Sequence, residues 1–382
     1  MRVLMTSDTV GGVWTYTIEL ARAMSTEQFI LATVGGGQLS ASQLLEVPPN
    51  VKVVTGESGL DQPDGPSSDV RRTSDWLLEI ERRESPDIVH LNGYAHGALP
   101  FKAPKVVVAH SCALSWSKAV HLNYDQGVWE QYRATVTAGL RGADFVVASS
   151  MAMLDELHTH YDFETPARVI YNGLSVRRPA IRSTRGQRTV VLAVGDRSDA
   201  ARNIQTVIDA APLIHAPVTI APLIDRESMR EAMESASIHL SPALYDPFGE
   251  SILEAAQSAC ALVLADIPAF REIWRDAALF APPRNRVAIA QQVNTLLGNP
   301  FLRDELSHRA RQRAGEFTPS RMASDYQMLY RLLNVETLRL SVKSSPPSDE
   351  VGNDTIAVGR RSSSARTNGY HTADDTADRL GR

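Results

Sequence analysis

Short runs of β-branched and other apolar residues alternate along this chain with longer stretches whose apolar positions recur every three or four residues. "RVLM" at 2–5 predicts a strand, and "GGVWTYTIELARAM" behind it spaces its apolar side chains for one face of a helix. "FILATV" at 29–34 and "VKVVT" at 51–55 predict further strands, with a helix from about 68 to 84. "DIVHLN" at 87–92, "KVVVAH" at 105–110, "ADFVVASS" at 143–150 and "ARVIYNG" at 167–173 continue the series. The pattern then restarts: "TVVLAVG" at 189–195, "PVTIA" at 217–221, "SIHLSP" at 237–242 and "ALVLADI" at 261–267 read as strands with helical stretches between them. Strand and helix alternating in this way predict α/β structure around buried parallel sheets. The polar stretch "RRPAIRSTRGQR" at 177–188 reads as the connection between two such units. Helices are expected over 301–315 and 319–335, the second opened by Thr318 as N-cap and Pro319 at its first position.

The expected organisation is therefore two Rossmann-like doubly wound domains, over 1–176 and 189–318. A helix over 319–338 crosses back to the first domain, and a tail over 340–382 is too poor in large apolar residues to fold. In doubly wound sheets ligands bind at the carboxyl ends of strands, so two facing sheets make one cleft. The chain has 382 residues, 43 % of them hydrophobic and 22 % charged, enough to fill two cores. A net charge of −5 supplies no general basic excess for phosphate backbones, which argues against nucleic acid as a partner. The two cysteines, Cys112 and Cys260, each flanked by small or apolar residues, read as buried thiols. No run approaches the roughly 20 apolar residues of a membrane span, and the expected location is the cytoplasm.

Four places carry candidate chemistry. Gly11 and Gly12 lie between a strand and a helix, where glycine lets backbone N–H groups approach an anion at the positive helix end. A tight turn with no ligand fits these letters equally well. His110 stands at the carboxyl edge of a strand, where it can hold a substrate hydroxyl, or else serve as an ordinary satisfied histidine. Arg197 and Arg202 follow the first strand of the second half, a position suited to cations around a diphosphate leaving group and also to solvated loop charges. In "YDPFGESILE" at 245–254 a turn separates Asp246 from Glu254. The pair could accept hydrogen bonds from sugar hydroxyls while the Phe248 and Gly249 amides face a ligand. Alternatively, Asp246 simply caps the helix. His90 and His96, with no cysteine or carboxylate pattern beside them, give no metal-site signature.

In order, "SDTVGGVWTYTIELARAM", "HLNGYAHGAL", "VVVAHSCALSW", "VVASSMAM", "VIYNGL" and "YDPFGESILEAAQSACALVLADIPAFREIW" resemble the retaining glycosyltransferases of family 4, over about residues 1–335. The last stretch is similar to that family's E-x7-E signature, with Asp in place of the first Glu. The resemblance implies the two-domain GT-B fold and a hexosyltransferase-type enzyme that moves a sugar from a nucleotide-sugar donor with retention. It implies catalytic roles for His110 and Asp246 toward the sugar. Donor binding would fall to Gly11, Gly12, Arg197, Arg202, Phe248, Gly249 and Glu254, the last on ribose hydroxyls. No metal or other cofactor is implied, and the acceptor is a sugar, a lipid-linked molecule or a small molecule, with peripheral membrane contact compatible. The sequence departs from the pattern at Asp196, where the family has Arg, and at Arg202, where it has Lys. It is also shorter after Ala221, so the second sheet is expected to lack a strand. These departures motivate an alternative: a non-catalytic GT-B protein that binds a sugar nucleotide or a partner.

Overall fold

Buried strands organise the molecule. The computed structural model describes residues 1–9, 11–35, 38–56, 67–121, 126–175, 190–222 and 226–344. The first lobe comprises β1 (Arg2–Asp8), α1 (Gly12–Ala23), β2 (Gln28–Val34), α2 (Ala41–Glu46), β3 (Val51–Thr55), α3 (Ser67–Glu84), β4 (Ile88–Leu91) and β5 (Lys105–Ala109). It continues through α4 (Ala113–Val120), α5 (Gln126–Gly142), β6 (Phe145–Ala148), α6 (Met151–His160) and β7 (Ala167–Val169). All its strands pair in parallel, in the order β3-β2-β1-β4-β5-β6-β7. β1, β4 and β5 are apolar runs buried along nearly their whole length, as a sheet covered on both faces requires.

The second lobe holds β8 (Val191–Val194), α7 (Ile204–Ala210), β9 (Val218–Ala221), α8 (Arg226–Ser235), β10 (Ile238–Ser241), α9 (Glu250–Gln257) and β11 (Ala261–Ala265). α10 (Pro268–Trp274), β12 (Ala278–Ala281), α11 (Arg286–Gly298) and α12 (Pro300–Ala314) complete it. Its parallel sheet has the order β12-β11-β10-β8-β9. Among the described residues only β9 lies outside β8, whereas β2 and β3 both lie outside β1 in the first lobe. β9 is thus an edge strand, with Thr219 and Ile220 exposed.

Both sheets belong to one compact unit, Met1–Leu340. α13 (Pro319–Ser344) starts at the second lobe and packs Met322, Tyr326, Leu329, Tyr330 and Leu333 into the first-lobe core beside Val3, Met5, Leu20 and Val108. Thr318 Oγ1 accepts from the Arg321 amide at 3.3 Å and Pro319 is the first helical residue, as the sequence predicts. The helix runs to Ser344, further than its apolar spacing indicates. The expected connection over 177–188 and the tail from 345 onward lie outside the described residues.

Candidate active site

Every candidate residue except Arg202 and Glu254 sits just beyond the carboxyl end of a strand. β1 leads to Gly11 and Gly12, β4 to Asn92, β5 to His110, β8 to Asp196 and Arg197, and β10 to the turn before α9. Glu254 lies one turn inside α9. Gly11 has φ +80°, a conformation that side-chain-bearing residues rarely adopt, and it opens α1 with that helix's amides toward the cleft.

The two lobes meet around this site. Cys112, two residues past His110, donates its amide to Tyr245 Oη at 2.7 Å. Ser150 Oγ donates to the Pro247 carbonyl at 2.7 Å, and Arg284 Nη2 to the Ala119 carbonyl at 2.9 Å. A Cβ added at Gly12 would stand 2.7 Å from Glu250 Oε2, so the first turn of α9 faces the glycine loop directly. Glu272 of α10 accepts the Met151 and Ala152 amides at the N-terminus of α6, each at 2.8 Å, and the Tyr171 hydroxyl at 2.8 Å. The anionic side chain matches the positive helix end. Glu272→Ala removes these cross-lobe bonds and is expected to lower stability by about 2 kcal/mol. Small-angle scattering should then show a larger radius of gyration; an unchanged radius would mean that other contacts hold the lobes together.

Asp246 is occupied within the protein. Its Oδ1 accepts the Phe248 amide at 3.1 Å and the Gly249 amide at 2.7 Å, while its Oδ2 accepts from Arg202 Nη1 at 2.8 Å. The two amides that the sequence reading aims at a ligand therefore close a turn on their own acid. Asp followed by Pro and Gly is a turn signature, and that signal was present in the letters. The Asp246 side chain is 11 % exposed and that of Arg202 25 %, so the ion pair is partly shielded from solvent. Gly249, at φ +81°, lets the chain enter α9 there.

The two arginines of the β8 loop stand in different surroundings. Arg202 is paired with Asp246 and approaches Asp199 at 3.6 Å. Arg197 is exposed and has no hydrogen bond or ion pair among the described residues. Asp196 is exposed too, and its carboxylate accepts from the Ser198 amide at 2.8 Å and hydroxyl at 2.7 Å, which hold its pKa below the usual range. Asn203, which the sequence reading passed over, donates to the Pro242 and Pro283 carbonyls and ties the β8 loop to that of β10.

His110 is half-buried, and burial lowers its pKa from the ordinary 6.5 to about 4. It is neutral at pH 7 and acts as a hydrogen-bonding group rather than a cation. Glu254 lies one turn beyond Glu250 on the same face of α9, half-buried. Glu250, Glu254 and neutral His110 place acceptor groups along this edge of the cleft, a chemistry that matches hydroxyl donors. Among the described residues no three His, Cys, Asp or Glu side chains gather as a metal site would require. No helix among them is long and apolar enough to cross a membrane.

The arrangement is that of a two-lobed α/β enzyme cleft, and comparison with known proteins identifies the family. A family model described as Glycosyltransferase Family 4 matches residues 10–178, and one described as Glycosyl transferases group 1 matches residues 169–299. No curated protein matches the chain in sequence. Among solved structures, sucrose-phosphate synthase from Thermosynechococcus elongatus superposes with a TM-score of 0.73 at 17 % identity, covering 88 % of this chain and all of the other. A glycosyltransferase from Rickettsia africae gives 0.67 at 17 % identity, covering 87 % and 98 %. Anabaena HepE, solved in complex with UDP and glucose, gives 0.65 at 17 % identity, covering 89 % and 100 %. The chain belongs to the family 4-type glycosyltransferases of the GT-B fold.

Proposed function

We propose that the protein transfers a sugar from a nucleotide-sugar donor to a hydroxyl acceptor with retention of anomeric configuration. The carrying observation is the meeting, across one cleft, of the β5 end bearing His110 with the acidic turn of residues 245–254, opposite Gly11 and Gly12. The complexes of HepE with UDP-glucose and with UDP and glucose support a nucleotide sugar as donor and make UDP-sugars the first to test. In this reading Glu254 takes ribose hydroxyls and His110 a hydroxyl of the transferred sugar. Arg197 and Arg202 stabilise the departing diphosphate, the latter after exchanging Asp246 for a phosphate oxygen. Asp246 acts by shaping the turn beside the sugar. The bond from the anomeric carbon to the phosphate oxygen breaks and the bond to the acceptor oxygen forms on the same face. The acceptor's proton passes to the leaving phosphate. Side chains and backbone dipoles carry this chemistry without a metal. The acceptor is a sugar, a lipid-linked molecule or a small molecule.

The test is hydrolysis and transfer with a panel of UDP-, GDP- and ADP-sugars. Turnover of at least one donor is expected. His110→Ala should lower it on the order of 100-fold, and Glu254→Gln should raise the donor KM roughly tenfold. Binding without turnover across the panel would return the non-catalytic alternative, and no binding at all would remove the sugar-nucleotide reading.

A further inference from the structure

Behind His110 lies a chain of polar side chains drawn from β1, β4 and α13. Tyr330 of α13 and His90 Nδ1 are 2.6 Å apart. His90 Nε2 lies 3.1 Å from Asn92 Oδ1, and His110 Nε2 lies 2.9 Å from the same oxygen. The Asn92 amide cannot turn over without loss. Its Nδ2 donates to the Thr6 carbonyl at 2.7 Å and to Thr17 Oγ1 at 3.4 Å, and its backbone N–H donates to Thr6 Oγ1 at 2.9 Å.

An amide oxygen only accepts, so each imidazole facing it must carry its hydrogen on Nε2. In His90 this leaves a lone pair on Nδ1, and the Tyr330 hydroxyl donates to it. In His110 the remaining lone pair is also on Nδ1, which is neither hydrogen-bonded among the described residues nor sealed from solvent. Tyr16 packs edge-on against the His110 ring with centroids 4.6 Å apart, which restrains its rotation. Burial keeps both histidines uncharged at neutral pH, with His90 lowered to about 3 and His110 to about 4, as an argument from tautomers requires.

We propose that Asn92, locked by Thr6 and backed by the Tyr330–His90 pair, is a positioning residue that fixes His110 as its Nε2–H tautomer and leaves Nδ1 as a hydroxyl acceptor in the cleft. This rests on the reading of His110 as a group facing the sugar. It gives α13, which returns from the second lobe, a direct line to the reacting end of the first. A His110 of the opposite tautomer would present a donor to the same hydroxyl, and the oxygen would have to turn its proton away.

The experiment is long-range ¹H–¹⁵N spectroscopy of the full chain labelled at histidine, with His110 assigned by its loss in His110→Gln. Wild type is expected to show His110 protonated at Nε2. Asn92→Ala should show a tautomer mixture at His110, and kcat on the order of tenfold lower with the donor KM within about twofold. Asn92→Asp keeps an acceptor oxygen for His110 Nε2–H but gives up the bonds of Nδ2 to Thr6 and Thr17, so it should hold the Nε2–H form of His110 in a less stable protein. Tyr330→Phe leaves the Asn92 oxygen in place, so both histidines should stay protonated at Nε2; if Asn92→Ala does not fold, Asn92→Leu, closer in volume and equally without the oxygen, provides the reading at His110. Nδ1–H on wild-type His110 would overturn the proposal. So would a tautomer, or a kcat, that Asn92→Ala leaves unchanged. The expected tautomers in a protein that transfers no sugar would leave the Asn92 arrangement standing and remove the proposed function instead.

Discussion

Replacing Gly173 with alanine is expected to destabilise the protein by about 3 kcal/mol, the upper part of the range for overpacking. The described chain passes between the lobes at two points. It leaves the first lobe along Tyr171–Ser175 after β7, and returns through Phe317–Pro319 into α13. The two passages lie against each other. The Leu174 amide donates to the Phe317 carbonyl at 3.1 Å, and the Gly173 amide to Met322 Sδ at 3.3 Å. A Cβ at position 173 would intrude on the Thr318 carbonyl and stand 2.6 Å from Pro319 N. These neighbours are backbone and cannot rotate aside, as the end of a flexible side chain could. Relief requires parting the two passages, which would loosen the Tyr171–Glu272 bond and the seating of Met322 and Tyr326. Denaturant unfolding of the variant measures the effect. A loss below about 1 kcal/mol would mean that the passages part easily and that the relation of the lobes is soft at this point.

The central strands were legible because burial on both faces makes them unbroken apolar, largely β-branched runs; the predicted strands over 29–34 and 105–110 fall within a residue of β2 and β5, and that over 51–55 matches the less buried β3. β12 is "ALFA", in which two alanines and no β-branched residue leave no strand signal, and it forms because β11 offers it an edge. The shorter stretch after Ala221 was legible only through the family resemblance, and among the described residues no strand lies outside β9. Candidate positions at strand ends were legible for the same reason as the strands. Their partners were not. Glu272 meets Met151 across 121 residues and His90 meets Tyr330 across 240, and no local pattern encodes such pairs. Asp246 shows the limit most clearly. Its letters favour a turn closure over a sugar contact without excluding either, and only the positions of Phe248 N, Gly249 N and Arg202 show that the protein already uses both carboxylate oxygens.

Stability is expected to fall by about 5.5 kcal/mol between pH 7 and pH 5, with His239, His90 and His110 responsible for most of it. His239 sits in the middle of β10 between Leu192 of β8 and Leu262 of β11, and neither of its ring nitrogens has a hydrogen-bond partner among the described residues. Burial, and then the nearby Arg202 charge, lower its pKa from 6.5 to about 4. Burial, with His110 adding to it, lowers that of His90 to about 3, and burial lowers that of His110 to about 4. In the unfolded chain all three protonate near 6.5. Below that pH the unfolded state takes up three protons that the folded state refuses, so stability that is complete above about 6.5 is lost as pH falls toward 4 and 3. Each such proton is worth about 1.4 kcal/mol per pH unit. Carboxylates whose pKa is held low, such as Asp196 and Asp266, titrate below this window and do not confuse it. His239→Leu places an apolar side chain between two leucines and breaks no hydrogen bond, so stability at pH 7 should be unchanged or slightly higher. The same substitution should remove close to a third of the loss at pH 5. Urea unfolding of both proteins at the two pH values gives the answer, and equal losses in wild type and variant would show that His239 takes up its proton without unfolding the second lobe.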